Sequence, residues 1–140
     1  MLKGGVNMTI LEALQTLNIL DESDSKSKIK NNLYGMLTHM LKSKYQPEYE
    51  NKNSWRGSIW SNYTNIANEI PVMGKGALYK NFYMKQLNLQ DIYENAVIRA
   101  SEETGKSINV FPKECEWTKE QLLDKKFVYN FMNEYCPRTD

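Results

Sequence analysis

The chain has 140 residues, 41% of them hydrophobic and 25% charged, which suits one globular domain able to bury its own core and leaves no room for a second. Basic and acidic side chains number 18 and 17, so no overall positive field exists to hold a phosphate backbone. Cys115 and Cys136 lie far apart without a CxxC spacing, no apolar run approaches the ~20 residues of a membrane span, and one histidine with two separated cysteines cannot supply a zinc site.

In chain order, the first residues lack the apolar stretch of a secretory signal. Lys3-Gly4-Gly5-Val6-Asn7 reads as the in-frame translation of a purine-rich ribosome-binding sequence. On that reading Met8 is the expected start, 8–140 the expected domain, and the gene bacterial or viral. Lys exceeds Arg 15 to 3, a codon bias of AT-rich genomes that says nothing of function. With free thiols and no export signal, the expected location is cytoplasmic, in the host cytosol if the gene is a phage's.

Thr9 and Glu12 have the spacing of a capping box and predict a short first helix carrying Ile10, Leu11, Leu14 and Leu17. The run Asp-Glu-Ser-Asp-Ser at 21–25 then breaks the pattern with residues that favour turns and caps, and a second helix is predicted to start there. It carries the cleanest stripe in the chain: Ile29, Leu33, Met36, Leu37, Met40 and Leu41, bounded by Pro47. Asn53 is the predicted cap of a third helix with Trp55, Ile59, Tyr63, Ile66 and Ile70, closed by Pro71.

Gly74 and Gly76 form a link to a fourth, less regular helix with Leu78, Phe82 and Leu87, which Asn88 interrupts or recaps. Ile92, Tyr93, Ala96, Val97 and Ala100 form the next stripe, and Gly105 is placed to end it in the left-handed conformation. Segment 106–117 reads as a loop. A second capping box, Thr118 with Gln121, opens a final helix carrying Leu122, Leu123, Phe127 and Phe131. No strand pattern and no repeat interrupts this series, so the predicted fold is all-α, a compact bundle of five to six helices.

The chemistry is sparse. His39 is the only histidine and sits at the edge of its apolar stripe, where the ordinary reading is a partly buried, hydrogen-bonded ring. A catalytic reading would make His39 the acid or base of a small hydrolase or nuclease, with Lys42 or Arg56 stabilising an anion and Glu102 or Glu103 assisting. Consecutive helical residues point about 100° apart, so Glu102 and Glu103 cannot share one pocket. Near a helix C-terminus their charges meet an unfavourable dipole, and a cation such as Arg56 is the expected partner.

Gly74-Lys75-Gly76 lacks the spacing of a phosphate-binding loop and reads as a hinge. Lys75, Tyr79, Lys80, Phe82, Tyr83 and Lys85 mix cations with aromatic faces, the combination that stacks bases and neutralises phosphates, although a solvated basic face is the commoner outcome. Tyr49, Trp55, Trp60, Tyr79 and Tyr83 are of the types enriched at protein-binding hot spots.

The segments THMLKSKYQP at 38–47, SWRGSI at 54–59, ETGKSINVFPKEC at 103–115 and EQLLDKKF at 120–127 together resemble the bacterial domain-of-unknown-function family 29, over about residues 10 to 128. The family pattern falls on His39, Lys42, Pro47, Ser54, Trp55, Arg56, Thr104, Gly105, Phe111, Pro112 and Cys115. The resemblance implies an all-α fold and, since the family carries no assigned activity, no chemistry. The chain departs from the pattern at 71–76, at Glu116 where proline is usual, and in a longer final helix. Phe111, Pro112 and Cys115 read as a loop pinned onto the bundle, and His39, Lys42, Trp55 and Arg56 as the place for any functional site.

Without a complete catalytic constellation, metal set or cofactor motif, the leading expectation is a non-enzymatic module that binds another protein, with a homodimer as an alternative. A phage or mobile-element inhibitor or regulator, or a toxin–antitoxin component, fits that class. Nucleic-acid binding through 75–85 and catalysis by His39 are the competing readings.

Overall fold

A computed structural model describes the backbone of residues 10–46, 52–72 and 87–138, and the side chains within 25–46, 53–69 and 87–138. Among these residues there is no strand, and the architecture is the expected helical bundle. The expected start at Met8 and the proposed fourth helix lie outside them.

The first helix, α1 (Ile10–Tyr45), is 36 residues long and runs unbroken through the segment where a division was expected. Asp and Ser cost only a few tenths of a kcal/mol each in a helix interior, and neither Gly nor Pro occurs between residues 10 and 34 to stop it. Ser25 does not cap a new helix. It is buried, and its hydroxyl donates to Glu69 Oε1 on the next helix at 2.8 Å. The predicted stripe from Ile29 to Leu41 is fully buried and forms the spine of the core.

The second helix, α2 (Lys52–Val72), packs along α1 through Trp55, Ile59, Tyr63 and Ile66. Asn53 lies inside its first turn rather than capping it, and Pro71 sits in its last turn. The two helices come close at Gly35, where a Cβ would stand 2.9 Å from the Asn62 side chain. Gly57, by contrast, is a helical glycine whose Cβ would meet nothing within 4 Å. Gly57→Ala should therefore stabilise the protein by about 0.5–1 kcal/mol through helix propensity alone. Urea unfolding measures this, and a loss of stability would show that the position is not an open helix surface.

The third helix, α3 (Leu89–Thr104), is bounded as its sequence predicts. The Asn88 side chain accepts from the Asp91 backbone N–H, and Gly105, at φ 73°, donates to Ser101 O. Its apolar stripe packs on α1. The chain then doubles back along α3 through a 3-10 turn (Ile108–Val110). Tyr93 holds it by donating to Pro112 O at 2.6 Å, and Gln90 by bonding both Lys113 O and the Cys115 N–H. Phe111 is buried edge-on to Tyr45, so the loop is pinned as expected.

The Thr118–Gln121 capping box forms, but the helix it opens, α4 (Lys119–Leu122), is only one turn. Asp124 accepts from the Lys126 N–H and starts a separate helix, α5 (Lys125–Tyr135). Where one final helix was predicted there are two. The stop between them lets Leu122 reach the core while Val128, Phe131 and Met132 pack from a second direction.

Candidate functional site

Of the residues singled out by sequence, His39, Lys42, Trp55 and Glu103 gather where α1, α2 and the end of α3 meet, but the pairings differ from those expected. Lys42 is nearly buried and donates from Nζ to Glu103 Oε1 at 2.6 Å, with Nζ 5.3 Å from the Trp55 ring centroid. The other Glu103 oxygen accepts from Arg99 Nε at 2.8 Å, and the Arg99 guanidinium lies over Tyr34. Glu103 is thus clamped between two cations from different helices. Burial by itself would raise its pKa, but the hydrogen bonds and charges of Lys42 and Arg99 more than reverse this and hold the carboxyl below its ordinary value.

Arg56 is not the partner of either glutamate. It donates to Cys136 O at 3.2 Å and to Asn133 Oδ1 at 3.0 Å and stacks over Tyr129, which ties α2 to the C-terminal end of α5. Its role is architectural because a peptide carbonyl at the end of α5 is a ready acceptor, whereas Glu103 is already held by Lys42 and Arg99. Glu102 points away from Glu103, as their spacing requires, and lines a cavity of about 350 Å³ between α1 and α3 with Lys30, Tyr34 and Arg99.

His39 stands beside this cluster. Burial, then the charges of Lys42 and Arg99, outweigh the opposing Glu103 and lower its pKa to about 4, so the ring is neutral at neutral pH. The expected hydrogen bond is missing: Nδ1 is buried and has no partner among the described residues.

The ring lines a second, wider groove of about 460 Å³. From α1 come Asn31, Gly35 and His39, each four residues after the last, hence one helix face. From α2 come Ser54, Gly57, Ser58, Ser61 and Asn62, a stripe of small polar side chains beside the buried aromatic face of that helix. Arg99 closes the groove from α3 and is the one charged residue on it among the described residues, and its wall is predominantly polar. Sequence reasoning missed this groove, and Arg99 with it. The i, i+4 spacing of Arg99 and Glu103 was the available signal, while a Ser/Gly stripe on a helix reads as ordinary solvated surface.

The predicted binding residues divide. Trp55 is buried beneath Lys42. Trp60 is half-buried, stacked on Tyr63 at 5.3 Å and edge-on to Tyr129, which is exposed. Lys75, Tyr79, Lys80 and Tyr83, with Tyr49, lie outside the described residues. Glu116, where the family pattern was expected to carry proline, binds Lys44 Nζ and the Tyr45 hydroxyl, and Lys44 Nζ also lies within 6 Å of the Tyr45, Trp117 and Tyr135 rings. That departure fastens the end of α1 to the loop.

Among the described residues no group of His, Cys, Asp and Glu could hold a metal ion, and no helix is long and apolar enough to cross a membrane. Compared with known proteins, the chain matches the family described as Domain of unknown function DUF29 over residues 9–128, and it belongs to that family. No curated protein and no solved structure gives a match.

Proposed function

We propose that this member of the DUF29 family is a non-enzymatic module that recognises another protein through the open polar groove between α1, α2 and α3. The groove is the observation that carries the reading: about 460 Å³ of accessible space walled by hydroxyls, side-chain amides and one guanidinium, with bare backbone at Gly57. Such a surface supplies adaptable hydrogen bonding around a fixed charge, which is how polar interfaces set specificity.

Acid–base catalysis is less well supported. A nucleophile–base pair needs heavy atoms about 2.6–3.2 Å apart. His39 makes no hydrogen bond to a groove serine or to Glu103 among the described residues, and its low pKa makes it a weak base. Both cysteines are free thiols, in keeping with work in a reducing cytosol, where an inhibitor, regulator or toxin–antitoxin component would act.

The test is paired capture from host lysate. Gly57→Trp places an indole in the groove from a position open to substitution, whereas Glu120→Trp on exposed α4 serves as control. Native protein and the control should recover the same stoichiometric protein, and Gly57→Trp should lose it while keeping native helicity. Equal recovery by all three overturns the reading.

A further inference from the structure

Among the described residues that line the groove, the Arg99 guanidinium is necessarily a donor. His39 lines the groove and its Nδ1 is buried without a partner among the described residues, which leaves Nε2 as the ring nitrogen able to bond a ligand. Arg99 uses Nε on Glu103 and its planar face on Tyr34. Its two Nη groups have no partner among the described residues, and Arg99 lines both this groove and the neighbouring cavity of Tyr34 and Glu102. The serines and asparagines adapt to either role and can follow whatever the guanidinium selects.

Charge narrows the ligand further. Lys42 and Arg99 together face one carboxylate, Glu103, so the cluster behind the groove has a single net positive charge. No lysine among the described residues lines this groove. A guanidinium edge matches a planar carboxylate through two parallel N–H···O bonds, while a phosphate dianion would meet more strongly the repulsion of Glu103, which Arg99 already binds.

We propose that the groove seats one carboxylate, an Asp or Glu side chain of the partner protein, on the Arg99 Nη groups and His39 Nε2–H. This rests on the binding-module reading and names the chemistry that the groove recognises.

The experiment is a nuclear magnetic resonance titration of the isotopically labelled full chain, following the His39 ring nitrogens and the backbone amides of residues 35–39 and 54–62. The probes are N-acetyl-glutamate N-methylamide, its uncharged glutamine counterpart, and inorganic phosphate. Glutamate should produce saturable shifts confined to the groove, at least tenfold weaker in Arg99→Gln and intermediate in Arg99→Lys, which keeps the ion pair but loses the fork. Glutamine should produce none, and phosphate weaker ones. Equal response to glutamine, preference for phosphate, or an unchanged affinity in Arg99→Gln overturns the carboxylate. A captured partner that protects the groove amides when the glutamate probe leaves them unmoved also overturns it, while leaving the groove as the binding face.

Discussion

Stability should fall by about 2 kcal/mol as the pH is lowered from about 7 towards 4, and His39→Gln should abolish most of that fall. The unfolded chain binds a proton at His39 near its ordinary value of 6.5, whereas the folded chain resists it down to about 4. Between those values the unfolded state holds more protons, so acidification favours unfolding; the contribution is complete above 6.5 and lost through 4. A shift of that size corresponds to at most about 3 kcal/mol, reduced here because part of the ring meets the water of the groove.

Glu103 acts in the same direction but in a lower window. Its folded pKa lies below 4.5, so its stabilisation is present above that value and disappears as the pH falls through the depressed one. Urea unfolding at a series of pH values separates the two, because glutamine keeps the polar wall of the groove but cannot titrate. An identical pH dependence in His39→Gln would show that the ring is not held neutral by its burial and the charges of Lys42 and Arg99.

The second large effect concerns the clamp itself. Glu103→Ala should cost about 2 kcal/mol, because it leaves the Lys42 ammonium, 8% exposed in its side chain, without its carboxylate. Glu103 is 39% exposed, and water screening keeps the loss below that of a fully buried pair. Lys42→Met should change stability by less than about 1 kcal/mol, since the apolar chain still packs on Trp55 and Arg99 still holds Glu103. In the double variant the alanine should cost about 1 kcal/mol less than it does alone. Strict additivity in that cycle would mean that Lys42 and Glu103 do not interact in solution.

Most of the fold follows from short-range rules that the sequence states openly. The α1 stripe, the Asn88 cap, the Gly105 terminus and the Thr118–Gln121 box each depend on residues within a turn or two, and each forms as read. Two of the boundary errors have a common cause: weak local preferences decided by tertiary packing. At 21–25 the turn-forming residues were outweighed by helix continuation and the Ser25–Glu69 contact. At Asp124 the apolar period from Leu122 to Phe131 concealed a cap that redirects the chain.

The ionic cluster beside the groove was legible in part as a set of residues but not as a set of pairs. His39, Lys42 and Glu103 do come together, yet whether Glu103 meets Lys42 or Arg56 depends on how α3 lies against α1 and α2, which no local pattern encodes. The groove was invisible for the same reason. Its walls are unremarkable on each helix and become a site only when three helices bring them face to face.

The most direct test of the groove as the recognition surface is hydrogen exchange on the native chain, free and bound to its captured partner. Binding should slow exchange in residues 35–39 and 54–62 and around Arg99, with little change in α5. Protection centred on α5 and the Trp60–Tyr129 aromatics, with the groove unchanged, would contradict it.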